Sequence, residues 1–223
     1  MKIFLDTADK GEIAKAYETG LIDGVTTNPT LILRSGRNLK DAICDIAESF
    51  PRLESISAEV VADTCEGMLD MAKDFTKLDA NITIKVPCTV EGLKACKVLS
   101  EDGYSVNVTL VFSVAQAILA NKAGADYISP FVGRWEDQSV DGLALIERLN
   151  NLSSRSITYY NDGSANILAA SIRDVRQVEA CALAGADVVT IPPKVFWKMH
   201  DNILTRQGLD LFQADWDAVN KGE

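Results

Sequence analysis

Short β-branched runs and amphipathic segments take turns along almost the entire chain, and no other feature narrows the fold as much. Runs at Ile3–Asp6, Val25–Asn28, Ile56–Val60, Ile82–Val86, Val106–Thr109, Tyr127–Phe131, Ile167–Ala170 and Val188–Ile191 have the length and residue types of strands. Between them, Asp9–Thr19, Leu39–Ser49, Cys65–Lys77, Val90–Ser100, Val114–Ala123, Val140–Leu149 and Val175–Leu183 carry apolar residues at helical spacing. Parallel strands cannot be joined by a tight turn, so this alternation implies parallel strands with crossover helices. Eight units in 223 residues predict an α/β fold, a compact (β/α)8 TIM barrel. An open doubly wound sheet is the alternative, but no G-x-G-x-x-G turn follows the first strand.

An internal echo supports the barrel. Ala123-Gly124-Ala125-Asp126 precedes one strand, Ala184-Gly185-Ala186-Asp187 precedes another, and Gly20-Leu21-Ile22-Asp23-Gly24 is a weaker version. In each, a glycine stands where a helix needs a left-handed cap before the chain enters a strand. No linker or composition shift divides the chain, so residues 1–223 read as one domain. The segment Asn150–Ser164 is loop-like, yet its Ile157-Thr158-Tyr159-Tyr160 could begin strand seven. Leu209–Val219 reads as an extra C-terminal helix with Phe212 and Trp216 on one stripe, suited to a second copy or to the chain's own barrel.

Charge and residue counts remove several classes of function. With 22 basic and 32 acidic residues the formal net charge is −10, and no Lys/Arg-rich run offsets it. Nucleic acid and anionic membranes are therefore not expected partners, whereas a few local arginines could still bind an anionic small molecule. His200 is the single histidine, which excludes multi-histidine metal sites. Five cysteines without C-x-x-C spacing suggest neither a disulfide framework nor a zinc site, and fit a reducing cytoplasm. The N-terminus reaches Asp6 after three apolar residues and does not read as a signal peptide. The stretch Leu110–Ala120 is too short to span a bilayer.

Polar residues recur where a barrel core should be. Alternate residues of a barrel strand face the lumen. On a single parity lie Phe4 and Asp6, Thr26 and Asn28, Ser57 and Glu59, Thr83 and Lys85, Asn107 and Thr109, and Ser129 and Phe131. Six consecutive strands thus aim polar groups at the C-terminal mouth, the end at which such barrels carry their chemistry. Asp6 could merely cap the helix that follows it, but Lys85 cannot be explained in that way. A lysine inside a strand covered by helices needs charged partners or must give up its proton. An unprotonated lysine is an amine nucleophile toward carbonyls, and Asp6 and Glu59 could divide the proton transfers that imine chemistry requires. Asn28, Asn107, Thr109 and Ser129 suit sugar hydroxyls. Arg134, Ser171 and Arg173, after strands six and seven, suit a phosphate.

The segments Asp6-Thr7-Ala8, Gly24-Val25-Thr26-Thr27-Asn28-Pro29-Thr30, Ile84-Lys85-Val86-Pro87, Asn107-Val108-Thr109-Leu110-Val111-Phe112, Ser129-Pro130-Phe131-Val132-Gly133-Arg134 and Leu168-Ala169-Ala170-Ser171-Ile172-Arg173 together resemble the transaldolase family. The match is to its short subfamily, which includes fructose-6-phosphate aldolases, and runs in order from Ile3 to Pro192. The resemblance implies class I aldolase chemistry without metal or organic cofactor. Lys85 would form the imine, and Asp6 would take and return the proton of the hydroxyl at which the carbon chain breaks. Glu59 would act through a water held by Thr109. Asn28, Asn107 and Ser129 would hold the dihydroxyacetone portion with Thr26 in support, and Arg134, Ser171 and Arg173 would hold the phosphate.

Glu59 and Phe131 match the transaldolases of that subfamily, whose aldolase members carry Gln and Tyr there. The expectation is transfer of a dihydroxyacetone unit between sugar phosphates in the pentose phosphate pathway, by a ring-like homo-oligomer, a pentamer or decamer. Two rivals are an aldolase that releases free dihydroxyacetone and a barrel that binds a sugar phosphate without turnover. Two features depart from the family pattern: Tyr159-Tyr160-Asn161-Asp162-Gly163-Ser164 before strand seven, and Pro192-Pro193 after strand eight. The first puts the register of strand seven, and with it Arg173, in question.

Overall fold

Eight parallel strands close on themselves in chain order in the computed structural model, which describes residues 1–78, 81–156 and 165–220. They are β1 (Lys2–Asp6), β2 (Gly24–Thr26), β3 (Ser55–Glu59), β4 (Ile82–Pro87), β5 (Ser105–Val111), β6 (Tyr127–Pro130), β7 (Asn166–Ala169) and β8 (Val188–Ile191). The helices around them are α1 (Lys10–Glu18), α2 (Pro29–Ser35), α3 (Leu39–Ser49), α4 (Cys65–Ala72), α5 (Val90–Glu101), α6 (Val114–Lys122), α7 (Val132–Glu136), α8 (Leu143–Ser156), α9 (Val175–Ala184), α10 (Pro193–Lys198) and α11 (Ile203–Asn220). This is a TIM barrel with an additional C-terminal helix.

Local chemistry starts and stops these elements where the barrel requires. Asp9, Asn28, Asn38, Thr64, Thr89, Ser113 and Asp174 each accept a backbone N–H from the first turn of the following helix. Asp9 rather than Asp6 caps α1, which leaves the Asp6 carboxylate free for another use. The echoed glycines Gly20, Gly124 and Gly185 all have positive φ (68°, 90° and 93°), where a side chain would be strained. The aspartates that follow them do more than introduce a strand. Asp23, Asp126 and Asp187 accept the N–H groups of Ile3, Val106 and Ile167 at 2.8, 2.9 and 2.8 Å, and return their own N–H to the same residues' carbonyls. Each one ties its strand's entry to the strand before.

Strand parity separates two cores. Outward residues such as Leu5, Val25, Ile56, Ile84, Val106 and Val189 pack under the helices. Inward residues Phe4, Tyr127, Leu168 and Val188 fill the lower lumen, with the Phe4 and Tyr127 rings edge-on at 5.7 Å between centroids. Gly24 stands beside that ring because a Cβ there would lie 2.7 Å from Phe4. Next to it Ser55, Thr83 and Ser105 hydrogen-bond in a row, 2.7 and 3.3 Å apart.

Several boundaries differ from the sequence expectation. Helices α2, α7 and α10 arise where Pro29, the tight loop after β6 and Pro193 start helices of 7, 5 and 6 residues, too short to show a period. Helix α8 begins at Leu143 rather than Val140, because Asp141 caps its first turn by accepting the N–H groups of Leu143 and Ala144. Strand β7 occupies Asn166–Ala169, with Ala170 bridging to Phe131; the alternative start at residues 157–160 lies outside the described residues. Helix α11 begins six residues earlier than Leu209 and buries none of its residues, so Phe212 and Trp216 do not pack on the chain's own barrel. All five cysteines are free, and burial pushes the Cys96 and Cys181 thiols up to about 12. Among the described residues no helix is long and apolar enough to cross a membrane.

Candidate active site

The inward side chain of Lys85 stands near the C-terminal end of β4 and is 7 % exposed. The β3–β4 register sets Glu59 abreast of it, and Nζ lies 3.0 Å from Glu59 Oε2. Nζ also donates to the Thr27 carbonyl at 3.2 Å. A buried charge is tolerable only when it is paired and hydrogen-bonded in this way. Across the lumen, Asp6 ends β1 and accepts from the Thr26 hydroxyl at 2.9 Å. Burial pushes the Asp6 carboxyl above the ordinary carboxylate value, while the nearby Lys85 charge and the Thr26 hydrogen bond pull it down and Glu59 adds to the rise.

Amides and hydroxyls complete the polar layer. Asn28 caps α2 by accepting the Leu31 N–H at 3.0 Å, so it serves the fold as well as the mouth. Ser129 donates to Asn107 Oδ1 at 2.7 Å, which fixes the amide so that Nδ2 faces away from that bond. Asn107 Nδ2 and Thr109 Oγ1 are buried with no hydrogen-bond partner in the protein. Buried polar groups without partners are uncommon. Ser57 Oγ and Trp135 Nε1 share that state, but of these four only Asn107 and Thr109 line the cavity at the mouth, where a small polar molecule can reach them. Just beyond Thr109, Leu110 takes φ of +58° at an irregularity in the β5–β6 register, a local distortion of the kind that collects around functional sites.

Apart from Glu59 and Arg173, every residue given a catalytic or binding role from the sequence lines one cavity of about 170 Å³ at the mouth. Glu59 reaches it through Lys85. Arg173 does not: its half-exposed guanidinium makes a two-pronged pair with Asp137. Arg134 does line the cavity, with Cζ 5.0 Å from the Phe131 ring centroid in a cation–π arrangement. Phe131 in turn lies against Phe112, ring centroids 5.8 Å apart. Ser171 enters the rim in a left-handed conformation, φ +63°. Its carbonyl would be 2.1 Å from a Cβ on Gly133, so only glycine permits the loops after β6 and β7 to meet there.

The model of the Transaldolase/Fructose-6-phosphate aldolase family matches residues 3–222. The chain belongs to that family. Proteins named probable transaldolase share its length: one from Paracoccus denitrificans is 49 % identical over 97 % of this chain and 96 % of its own. Another, from Roseobacter denitrificans, is 48 % identical over 99 % of both chains. The barrel also resembles the crystal structure of 3-hexulose-6-phosphate synthase from Salmonella typhimurium, at a TM-score of 0.59 over 86 % of this chain and 89 % of that one. At 20 % identity that likeness concerns the fold alone.

In this transaldolase-family barrel three further residues line the cavity: Leu168 and Ala170 from β7 and its end, and Thr190 from β8. The same parity rule would have found them. Val188 and Thr190 alternate with Val189 and Ile191 just as Phe4 and Asp6 alternate with Leu5. A buried amine, two carboxylates, a set of sugar-sized hydrogen-bonding groups and a rim arginine form one connected surface. Such a set can bind a polyhydroxylated ketone or aldehyde, attack its carbonyl and move protons on either side of the new bond.

Proposed function

We propose that this chain is a transaldolase that works through an imine on Lys85. The observation that carries the proposal is the Lys85 ammonium group buried at the cavity wall, paired to Glu59, with Asp6 in the same lumen. The Lys85 amine adds to the carbonyl carbon of a ketose phosphate, and loss of water gives the protonated imine. Glu59 supplies and removes protons in these steps through a water held at Thr109, whose hydroxyl has no other partner. The Asp6 carboxylate then takes the proton of the hydroxyl on the far carbon of the bond that breaks, so that this carbon becomes the carbonyl of the leaving aldose. That bond's electron pair moves into the imine, leaving an enamine on Lys85 and releasing an aldose. In the second half the enamine carbon attacks an acceptor aldehyde, Asp6 returns its proton to the new alkoxide, and water releases the longer ketose from Lys85.

Asn28, Asn107 and Ser129 hold the hydroxyls of the dihydroxyacetone unit, with Thr26 behind Asp6. Arg134 and Ser171 hold the phosphate at the rim, and Arg173 joins them when its guanidinium exchanges Asp137 for the phosphate. Phe131 bears on the balance between transfer and simple cleavage. It has no hydroxyl with which to protonate the enamine or hold a water against it, so the intermediate waits for an aldehyde. The expected reaction joins sedoheptulose 7-phosphate and glyceraldehyde 3-phosphate to give erythrose 4-phosphate and fructose 6-phosphate, a step of the cytoplasmic pentose phosphate pathway.

The test follows fructose 6-phosphate with and without erythrose 4-phosphate, together with borohydride trapping. A Lys85 adduct, with glyceraldehyde 3-phosphate formed only when the acceptor is present, is expected. Equal product without acceptor would make the protein an aldolase. Ligand-induced thermal stabilisation with neither turnover nor adduct would make it a binding barrel.

A further inference from the structure

On the inner face of β8, Thr190 is 5 % exposed, and its hydroxyl oxygen meets that of Thr26 within hydrogen-bond distance. The Thr26 hydroxyl also reaches Asp6 Oδ1 at 2.9 Å. A hydroxyl carries one proton, and an ionised carboxylate can only accept. The Thr26 proton therefore belongs to Asp6, and the contact between the two threonines must be a donation from Thr190. Three strands, β8, β2 and β1, are in this way joined by a hydroxyl chain of fixed direction that ends on the carboxylate.

We propose that Thr190 is a positioning residue for Asp6: by donating to Thr26 it commits the single Thr26 proton to Oδ1 and leaves Oδ2 as the atom that takes the substrate's proton. The catalytic use of the chain rests on Asp6 being the base, as proposed above; the hydroxyl chain itself does not. Two effects oppose one another at this carboxyl. Burial favours its neutral form, and hydrogen bonds to the charged form resist that. If Thr190 cannot donate, the Thr26 hydroxyl is free to turn away, and the resistance weakens. The charged groups that act on Asp6 are Lys85 from β4 and Glu59 from β3, and Arg134 lines the same cavity. Residues Val188–Ile191 of β8 include no ionisable side chain, so changing Thr190 alters no charge.

Thr190→Val keeps the shape of the side chain and removes its donor. The Asp6 titration, followed by carbon-13 NMR of labelled aspartate carboxyls and assigned by the resonance lost in Asp6→Asn, should move up by roughly half to one pH unit. The acid limb of kcat/KM should move with it, and Thr190→Ser should restore both. In a Thr26→Val background, Thr190→Val should add no further shift, because its effect passes through Thr26. If Thr190→Val does not fold, Thr190→Ala must give the same shift. An unmoved Asp6 titration in a folded variant, or an equal shift in the Thr26→Val background, would overturn the proposal. A moved titration in an enzyme whose turnover ignores Asp6 would overturn the catalytic use and leave the chain of hydroxyls standing.

Discussion

The two ends of the barrel are built from the same strands on the same parity, yet they treat polar groups in opposite ways. At the floor, polar groups are matched locally, save the buried Ser57 Oγ abreast of Thr83, which has no partner. Asp23, Asp126 and Asp187 saturate the N–H groups of neighbouring strands, Ser55, Thr83 and Ser105 bond to one another, and Phe4, Tyr127, Leu168 and Val188 close the space above. At the mouth, Lys85 and Glu59 are buried as a pair, the Asp6 carboxyl is driven up by burial, and Asn107 Nδ2 and Thr109 Oγ1 have no partner. The floor is all but satisfied without a ligand, whereas the unpartnered groups of the mouth line a cavity. Free energy that the floor puts into stability is withheld at the mouth, where it becomes available for binding.

Substitutions at the two ends should therefore separate activity from stability. The largest effect is expected for Lys85→Met, which should abolish both turnover and the borohydride adduct while the barrel still unfolds cooperatively. An adduct that survives this change would move the nucleophile elsewhere. Asp6→Asn should lower kcat by about 10²- to 10⁴-fold, the range for a lost general base. It should also sharpen the contrast by raising the thermal midpoint at neutral pH. The sign follows from linkage: the folded-state Asp6 value lies above the unfolded one, so the stability it confers is complete below the unfolded value and is lost as pH rises through the folded value. The midpoint difference between Asp6→Asn and the parent should shrink as pH falls toward the ordinary carboxylate range. A midpoint lowered at neutral pH would show that Asp6 serves the fold.

At the floor the expectation reverses. Asp187→Ala removes the acceptor of the Ile167 N–H and should cost about 1–2 kcal/mol in unfolding free energy, measured by urea titration, with kcat unchanged. A matching loss of kcat would erase the division between the ends. The smallest effect is expected for Phe131→Tyr. Its added hydroxyl should raise acceptor-independent release of dihydroxyacetone while leaving the adduct and the thermal midpoint nearly as they were. An unchanged ratio of transfer to cleavage would take from Phe131 the role proposed for it.

Much of this contrast was legible in the residues. The alternation of strands and helices specified the barrel, because only parallel strands with crossovers satisfy it. Parity placed Asp6, Thr26, Lys85, Asn107 and Ser129 on the lumen side, and all of them line the cavity. The echoed glycines, each followed two or three residues later by an aspartate, were visible as helix caps, but the tie from each aspartate to the preceding strand was not. That bond joins residues 20 apart, across an entire helix whose placement no local pattern encodes. Arg173 shows the opposite failure. Its position after β7 suited a phosphate, whereas its side chain turns to Asp137, since an exposed arginine takes whichever carboxylate the fold brings near.

The sequence by itself determined the periodicities, the caps and the set of chemical groups on the inner faces of the strands, because those follow from the two-residue repeat of a strand and the chemistry of each side chain. Only the tertiary structure decided which of these groups meet. The closure between β1 and β8 brings Thr190 to Thr26, the β3–β4 register sets Glu59 beside Lys85, and α11 is left with Phe212 and Trp216 exposed. Register and closure are set by the whole barrel at once: a single slipped residue would turn every inward group to the other face.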